Sequence, residues 1–576
     1  METRLFLSSS RTLVLALALL SARSLCAQVV SDGAINTLDN VTNTFAGDVT
    51  VGTNGSFTLL ILTNNALLTN SGHGYLGRNA GANSNRVWLT GANTRWLMGG
   101  DLYVGNSGAF NRLVISNGAL VGNSNGYVGY DLSSSNNEAL VTGTNSFWSN
   151  RGNLSVGDSG SGNRLVISNG GLVGNGYGYL GYNSSSSNNV VLVTGAGSFW
   201  SNGAGLHVGS YGSGNRLVIS NGGTVSSSTA VYLGFDSSSS NNLLTVGGGS
   251  LIVTNPAGSG VLDIRRGTNV LNAGLIDVDR LLLTNARSIF EFNGGTLRTK
   301  GTTNNNGRLF TAGNGTSAAT FQLLGGTHTF ANNLLIASNA TLSGNGTIFG
   351  NVTNFGTISA GASAGSLRIN GSLSLAASAG MVFEIGGLIP TNQYDQIIVT
   401  NFVQFAGTLS LTLINNFLPD DSDTFTLLKF ASSSGYFTNA PFAGRVSTTN
   451  GLASFAVTYT ATNLVLGDVQ YVDSDGDGQG DLEEQAAGTD PNNSREFLTI
   501  TSITRDVLGR YAVQFQSMSN KLYRVDWSAN LNSAWSTVLG PSFTAPATNL
   551  TQWIDDGTLT APLTNVTARF YRIGLQ

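Results

Sequence analysis

The feature that most constrains this chain is an internal repeat. The string NRLVISNG begins at Asn111, at Asn163 and again at Asn215, so it recurs every 52 residues. Two further motifs, LxVG and TGxxxxW, keep the same step: the first opens at Leu102, Leu154 and Leu206, and the second closes at Trp96, Trp148 and Trp200. A repeat of this length is one supersecondary unit that buries its core only by stacking on its neighbours. The sequence therefore predicts a repeat array.

Each unit divides into two similar halves, because Val104, Val128 and Val156 each precede a glycine, at steps of 24 and 28 residues. Both halves consist of short runs rich in Val, Leu, Ile and Thr that alternate in period two and end in Asn-Gly, Gly-Gly or Ser-rich turns, a pattern typical of β-strands. A parallel β-solenoid would use each half as one coil, whereas a β-propeller would use each unit as one blade. The half-period and the fading of the copies favour the solenoid. We predict a continuous solenoid over residues 48–380, with about 13 coils spaced ~4.8 Å apart and the three tryptophans at one azimuth.

Composition supports an all-β fold and excludes several classes of function. Hydrophobic residues make up 41% of the 576 residues and charged residues 10%, so the chain can bury a large core and is not a disordered polymer. The net charge of −4 provides no positive surface for nucleic acid. Three histidines leave little material for histidine catalysis. The predicted fold class is all-β: a parallel β-solenoid, or β-helix, with a small antiparallel β-sandwich at the C-terminus.

The first 27 residues form a predicted signal peptide. Arg4 and Arg11 supply a positive region, and the apolar run of residues 12–20 is too short to span a membrane stably. Cleavage after Ala27 would remove Cys26, which is the one cysteine of the chain; lipidation of Cys26 is the alternative. No later stretch is long and apolar enough for a transmembrane helix, so we expect an exported protein.

Two regions carry a family resemblance. The units of residues 48–250, with LYVGNSGAFNRLVISNGALV and GYVGYDLSSSNNEALVTGTNSFW, resemble the repeat of type V secretion and PEP-CTERM-associated bacterial surface proteins. The chain that follows resembles the passenger β-helix of autotransporters, through residues 290–299, 340–375, 381–400, 407–417 and 423–430. The resemblance implies a secreted protein, or one on the outer surface of a Gram-negative-type bacterium. Neither a translocator domain nor a PEP-CTERM tail is recognisable, so we expect general export followed by another outer-membrane step.

An acidic loop is the one segment whose spacing predicts metal chemistry. It fits the twelve-residue EF-hand loop, with Gly478 at the sharp turn. The predicted Ca²⁺ ligands are Asp473, Asp475, Asp477, the backbone carbonyl of Gln479, Asp481 (directly or through water) and Glu484. Because long flanking helices are absent from the pattern, the loop resembles a thrombospondin type 3 or dockerin-like calcium loop; a solvated acidic linker is the competing interpretation.

These patterns divide the chain into six predicted segments. They are a signal peptide (1–27), a solenoid of 52-residue repeats (28–266), an autotransporter-like β-helix (267–380), the β-rich end of the passenger-like region (381–467), the calcium loop (468–494) and a small β-sandwich (495–576). The last segment is rich in aromatic residues that we expect in its core, although an exposed sugar-binding strip would need the same residues: Trp527, Trp535, Trp553, Phe570 and Tyr571.

Three functions remain open at this stage. The leading hypothesis is a non-enzymatic surface scaffold or adhesin, whose partners are surface glycans or other envelope components; the oligomeric state is not specified. A carbohydrate-binding stalk would use exposed aromatics or the basic row Arg112, Arg164 and Arg216. A polysaccharide-active β-helix enzyme would need converging charges, and the richest group comprises Asp263, Arg265, Arg266, Asp277, Asp279, Arg280 and Glu291. We expect His73, His207 and His328 to face solvent and not to act as metal or substrate ligands, because their positions within the repeat are unrelated.

Overall fold

The computed structural model describes residues 27–361, 363–518, 521–531, 535–544, 550–563 and 568–575. The predicted signal peptide lies outside this part of the chain, apart from Ala27. The chain divides into two compact units, one that runs to Val253 and includes Arg265–Thr268, and one that consists of Thr254–Ile264 and everything from Asn269. The predicted fold class is confirmed: the protein is nearly all β, with about 15 turns of parallel β-solenoid and a small antiparallel β structure at the C-terminus.

The first unit contains short strands, three to a coil. They are β1 (Ala27–Gln28), β2 (Ile35–Asp39), β3 (Thr42–Phe45), β4 (Val49–Val51), β5 (Leu59–Thr63), β6 (Leu67–Asn70), β7 (Gly74–Leu76), β8 (Arg86–Thr90), β9 (Arg95–Met98), β10 (Leu102–Val104), β11 (Arg112–Ser116), β12 (Leu120–Asn123), β13 (Gly126–Val128), β14 (Glu138–Thr142), β15 (Phe147–Asn150), β16 (Leu154–Val156), β17 (Arg164–Ser168), β18 (Leu172–Asn175), β19 (Gly178–Leu180), β20 (Val190–Thr194), β21 (Phe199–Asn202), β22 (Leu206–Val208), β23 (Arg216–Ser220), β24 (Thr224–Ser227), β25 (Ala230–Leu233) and β26 (Asn242–Val253).

Parallel pairing from coil to coil confirms that each half of the repeat is one coil. Strand β11 lies between β8 and β14, so that Arg112 pairs with Arg86 on one side and with Glu138 on the other. In five-residue strands such as β5 and β20, buried and half-buried residues alternate, as expected when successive side chains point to opposite faces. The pairing is incompatible with a propeller blade, whose strands are antiparallel.

A ladder of buried asparagines fixes one corner of these coils. The backbone N–H of each asparagine donates to the side-chain Oδ1 of the equivalent asparagine in the next coil, at 2.8–3.0 Å. The ladder comprises Asn85, Asn111, Asn137, Asn163, Asn189, Asn215 and Asn242, all at most 1% exposed. It pairs the backbone where the chain turns between strands, and a buried N–H that lacked this acceptor would be costly.

The predicted column of tryptophans is also present in the first unit. Trp96, Trp148 and Trp200 are fully buried, and each lies in register with a valine of the coil between, namely Val121 or Val173. The indole N–H groups donate to Asn70, Asn123 and Asn175 at 2.7–3.0 Å. Tryptophan and valine thus alternate along the column, which explains why the sequence repeats every two coils.

The strands after residue 254 are longer and the coils less regular. They are β27 (Val261–Ile264), β28 (Gly267–Leu283), β29 (Ile289–Phe292), β30 (Gly295–Asn304), β31 (Phe310–Ala312), β32 (Ala319–Phe330), β33 (Leu334–Ile336), β34 (Ala340–Phe349), β35 (Val352–Asn354), β36 (Thr357–Ala360), β37 (Ser366–Asn370), β38 (Leu373–Leu375), β39 (Gly380–Ile385), β40 (Gln396–Val399), β41 (Phe402–Phe405), β42 (Thr408–Leu413), β43 (Phe425–Lys429), β44 (Ser432–Gly435), β45 (Arg445–Ser447), β46 (Ala453–Tyr459) and β47 (Asn463–Tyr471).

Parallel pairing in the second unit extends beyond residue 380, because β41 still pairs with β44 in parallel up to Gly435. The pattern then changes, and β43, β46 and β47 pair in antiparallel fashion. Antiparallel strands close the exposed edge that a parallel coil leaves for further pairing. The sequence underestimated the length of the parallel region, since the turns after residue 380 lose the Asn-Gly punctuation of the repeat.

The C-terminal segment consists of one short helix and two three-stranded antiparallel sheets, β48–β49–β52 and β51–β50–β53. The elements are α1 (Asp481–Ala487), β48 (Ile500–Arg505), β49 (Tyr511–Gln516), β50 (Leu522–Ser528), β51 (Ser536–Thr544), β52 (Leu550–Asp555) and β53 (Phe570–Leu575). Both sheets contribute to one core, which comprises Val513, Phe515, Tyr523, Val525, Trp553 and Tyr571. Of the aromatic residues predicted for this core, Trp553 and Tyr571 are buried, whereas Trp527, Trp535 and Phe570 are half-buried.

Candidate metal centre

The acidic loop follows β47 directly and ends in the short helix α1. Gly476 and Gly478 have φ angles of 77° and 95°, the left-handed region that glycine adopts without strain. The helix begins after Gly480 and ends at Gly488, which has a φ of 83°. The sharp turn predicted at Gly478 is therefore present, and the first helical turn carries Asp481 and Glu484.

Backbone N–H groups of the loop donate hydrogen bonds to the first three carboxylates and orient them. Asp473 accepts hydrogen bonds from the N–H of Gly476 at 2.7 Å and of Gly478 at 3.0 Å. Asp475 and Asp477 each accept one from the residue two places later, at 3.2 and 2.8 Å, through Oδ1. The other oxygen, Oδ2, of both Asp475 and Asp477 is buried and has no hydrogen-bond partner among the described residues.

The structure brings the three aspartates together. One oxygen from each of Asp473, Asp475 and Asp477 lies within 4.8 Å of the other two. Burial, followed by the charges of Asp477 and Asp473, raises the pKa of the Asp475 carboxyl. Like charges at this distance repel unless a proton or a cation compensates them.

Glu484 is the most informative residue of the loop. Its side chain is fully buried, and neither carboxylate oxygen has a hydrogen-bond partner in the part of the chain that the structure describes. Burial raises the pKa of Glu484, and the nearby charges of Asp475 and Asp477 raise it further. A buried carboxylate without a partner is strongly unfavourable in water-free surroundings. Glu484 therefore supplies two oxygens without a described partner, near enough to Asp475 and Asp477 for their charges to act on it, although it is not in the group of carboxylates whose oxygens lie within 4.8 Å of one another.

Asp481 and Gln479 have other contacts. Both oxygens of Asp481 accept hydrogen bonds from Ser474, from its N–H at 2.7 Å and from its hydroxyl at 2.6 Å. The side-chain amide of Gln479 forms two hydrogen bonds with the backbone of Leu498, at 2.8 and 3.1 Å. Asp481 thus holds the loop closed and the Gln479 side chain ties it to the segment that follows, while the predicted role of the Gln479 carbonyl stays a prediction.

Two aspartates of the charged group that an enzyme would need are paired with cations. Asp277 lies 3.4 Å from Arg298, and Asp279 lies 2.7 Å from Lys300. Burial would raise the pKa of Asp279, but hydrogen bonds from Lys300, Gly260 and Asn255 outweigh it and hold that pKa below its usual value. A general acid needs a raised pKa and a free path to substrate, and Asp279, fully buried, has neither. Arg280 and Glu291 are exposed.

The prediction that the histidines face solvent is wrong for His328, which is fully buried. Its ring nitrogens lie 3.1 Å from the Thr302 hydroxyl and 3.0 Å from the Gly325 carbonyl. Burial lowers the pKa of His328 to about 4, so the ring is neutral at physiological pH. His73 and His207 are half-buried.

The basic row is not continuous, because the register places other residues between its members. Arg112 forms a 3.0 Å ion pair with Glu138, and Glu138 also lies next to Arg164. Val190 separates Arg164 from Arg216. The row therefore offers no unbroken positive strip for an acidic glycan.

Comparison with known proteins adds no family to these observations. No protein-family model matches the chain, and no curated protein is significantly similar to it. Among the described residues, no helix has the length and apolar character needed to cross a membrane.

Proposed function

We propose that this chain is an exported, non-enzymatic scaffold or adhesin of a bacterial cell surface, with a C-terminal junction stabilised by Ca²⁺. The observation that carries the calcium site is the buried, unpartnered carboxylate of Glu484 near the free oxygens of Asp475 and Asp477. A cation at this point would satisfy four oxygens that no described residue satisfies.

The donor set favours Ca²⁺ over other metals. The side-chain donors of the group are carboxylate oxygens, which hard cations prefer, and among the described residues no cysteine or histidine belongs to it. Ca²⁺ accepts six to eight oxygens in flexible geometry, whereas Mg²⁺ demands near-octahedral geometry and keeps its waters. A single site of this kind has an expected Kd on the order of 10⁻⁴–10⁻³ M, the range of extracellular modules.

Contacts of the loop with the C-terminal sheets explain what the ion would do. Gln479 is hydrogen-bonded to Leu498 just before β48, and the hydroxyl of Tyr523 in β50 donates to the carbonyl of Ala487 at 3.2 Å. An ion that fixes the loop between Asp473 and Glu484 therefore also fixes both attachments. Calcium would convert a flexible junction into a rigid one.

The scaffold part of the proposal is supported by how the coils use their polar groups. The interior asparagines are consumed in coil-to-coil hydrogen bonds, and the acidic residues Asp277 and Asp279 are paired with cations. The signal-peptide pattern of residues 1–27 supports export. Fractionation of cells with antibody to residues 28–576 tests the location, and recovery in the cytoplasm would refute it.

Limited proteolysis tests the calcium site. Chymotrypsin can cut the loop after Tyr471 or Leu482, and we expect millimolar Ca²⁺ to lengthen the lifetime of this segment at least tenfold relative to chelator, while Mg²⁺ has little effect. Glu484→Gln should abolish the protection by Ca²⁺. The matched control is Glu496→Gln, because Glu496 lies outside the ligand set and should leave the protection intact. Equal cleavage with Ca²⁺ and with chelator would favour the acidic-linker interpretation.

A carbohydrate-binding stalk is the second candidate, and exposed aromatic residues favour it. Tyr177, Tyr182 and Tyr211 of the first unit are 44%, 38% and 43% exposed, and aromatic faces are the usual platform for sugar rings. A glycan array probed with the full chain and with Tyr211→Ala distinguishes the candidates. Glycan binding that the variant loses would support the stalk.

A further inference from the structure

The second unit contains a polar cleft of about 1300 Å³, which is large, since pockets for small molecules usually enclose roughly 300–1,000 Å³. Its walls come from the segment between β42 and β43, from helix α1 and from strands β50 and β53 of the C-terminal sheets. None of the loop carboxylates proposed to bind Ca²⁺ lines this cleft. We name it the junction cleft.

The register of β50 and β53 brings two arginines and one aspartate to one face of a sheet. Arg524 and Asp526 lie two residues apart in β50, and Asp526 is paired with Arg572 of β53. Residues two apart in a strand, and residues directly opposite each other in an antiparallel pair, share a face. Tyr523 and Val525 point the other way, into the core of the C-terminal sheets. All three charged residues line the junction cleft.

The aspartate is buried and positions both guanidinium groups. Asp526 is 1% exposed, and its Oδ2 accepts a 2.8 Å hydrogen bond from Arg572 Nε and lies 3.6 Å from Arg524 Nε. Its other oxygen, Oδ1, is buried and has no hydrogen-bond partner among the described residues. Because a buried carboxylate is costly unless cations compensate it, Asp526 holds the two arginines side by side.

Two neighbours keep the arginine side chains in place. Gly574 is paired with Arg524, and a Cβ atom at Gly574 would lie 3.3 Å from Arg524 Nε, so the glycine leaves room for the guanidinium. The guanidinium of Arg572 lies 5.0 Å from the ring centroid of Trp535, which is a cation–π contact. The side chains of Arg524 and Arg572 are still 46% and 53% exposed, so their outer N–H groups can reach a ligand.

Charge is divided between the walls of the junction cleft. On the side of the C-terminal sheets, Lys521, Arg524 and Arg572 outnumber Asp526, which leaves an excess of positive charge. The other walls carry carboxylates and amides, namely Asn415, Asn416, Asp420, Asn450, Glu483 and Gln485. Amides and carboxylates together can donate to and accept from hydroxyl groups. The cleft therefore fits a ligand that has an anion on one side and hydroxyl groups elsewhere.

We propose that the junction cleft binds an acidic oligosaccharide, with an isolated uronate carboxylate on Arg524 and Arg572 and neutral sugar hydroxyls on the other walls. Planar guanidinium groups pair with carboxylates through two parallel hydrogen bonds. A polymer with an anion on every unit, such as a nucleic acid, would place charges against Asp420 and Glu483. The site goes beyond the scaffold role and does not rest on the calcium ion.

Calorimetric titration of residues 28–576 with cellobiouronic acid, at pH 7.5 in buffer with chelator, tests the proposal. Cellobiose is the neutral counterpart, since it differs only by a hydroxymethyl group in place of the carboxylate. We expect saturable binding of the acid that is at least tenfold tighter than that of cellobiose. Because chelator is present, the result does not depend on whether the loop binds Ca²⁺.

Arg524→Gln keeps a polar side chain and removes the charge. It should weaken binding of the acid at least tenfold, leave binding of cellobiose unchanged and leave the thermal unfolding midpoint unchanged, because Arg524 is half exposed. Lys521→Gln should weaken binding of the acid at least threefold. The matched control is Arg505→Gln, because Arg505 is an exposed arginine of the other C-terminal sheet that does not line the cleft; affinity should stay within twofold of the unmodified protein.

Equal affinity for cellobiouronic acid and cellobiose would overturn the proposal, as would the absence of saturable binding or undiminished binding by Arg524→Gln. An equal loss in Arg505→Gln and Arg524→Gln would also overturn it, since it would show a general attraction of anions and no defined site. The comparison of the two sugars needs no substitution, so it decides the question even where a variant fails to fold.

Discussion

Replacing Asn163 with leucine would break the asparagine ladder at its centre. The Oδ1 of Asn163 accepts from the backbone N–H of Asn137 at 2.9 Å and from its side-chain amide at 3.0 Å, and the Asn163 amide donates to Asn189 Oδ1 at 3.2 Å. Leucine branches at the same atom, is larger and has no polar atom, so the buried N–H of Asn137 loses its acceptor. That group costs about 1–3 kcal/mol when left unpaired. The four other side-chain hydrogen bonds of Asn163, which include those to the carbonyls of Ser134 and Ser161, add about 0.5 kcal/mol each. We expect a destabilisation of about 3–5 kcal/mol.

The loss should be local, because each coil contacts only its neighbours. Urea unfolding gives the overall change, and hydrogen exchange followed by mass spectrometry should show faster exchange in peptides from residues 130–190 than in those from residues 50–80. Thr144→Ala, an exposed change close by in the chain, is the control and should stay within about 0.5 kcal/mol. A leucine variant that exchanges and unfolds like the control would refute the idea that the ladder stabilises the coils.

Two further predictions concern buried charges of the second unit. Burial raises the pKa of Asp395 to about 7 despite hydrogen bonds from the N–H groups of Glu384 and Gly365, and the Glu384 charge raises it further. Because the folded state then holds this proton more tightly than the unfolded state, the free energy of unfolding should fall as the pH rises from about 4 to about 7. The urea midpoints of Asp395→Asn should lack this part of the pH dependence. Arg569→Met breaks a buried 2.5 Å ion pair with Asp555 and should destabilise the C-terminal sheets by about 3–5 kcal/mol. Urea unfolding of these sheets can be followed by tryptophan fluorescence, and a change below about 1 kcal/mol would contradict the prediction.

The solenoid and its coil length could be predicted because the repeat expresses them directly in sequence. A conserved spacing between copies of NRLVISNG requires equivalent environments, and the half-period then gives the coil. Trp148 was predicted to lie at the same azimuth as Trp96 for the same reason, and it does. The sequence period alone was enough to predict the coil and the tryptophan column, because every coil repeats the same contacts.

Burial of polar residues could not be predicted, because it depends on what the neighbouring coil brings. Asn163 precedes an arginine and follows a turn, so its sequence context is that of an exposed loop residue. Its burial becomes evident only when Asn137 and Asn189 stack on either side. The burial of His328 was predicted wrongly and that of Glu484 was not predicted at all, for the same reason. Spacing indicates which residue types lie near each other in the fold, but not which of them are removed from water.

The alternation of tryptophan and valine in one buried column also restricts how such an array can change length. Removing the coil of Val121 would set Trp148 directly against Trp96, and two indoles would compete for the volume that one indole and one valine fill at present. Adding or losing two coils together keeps the alternation intact. Duplication or deletion within the gene is therefore tolerated in steps of 52 residues, and a single-coil change would have to be accompanied by a compensating substitution in the column.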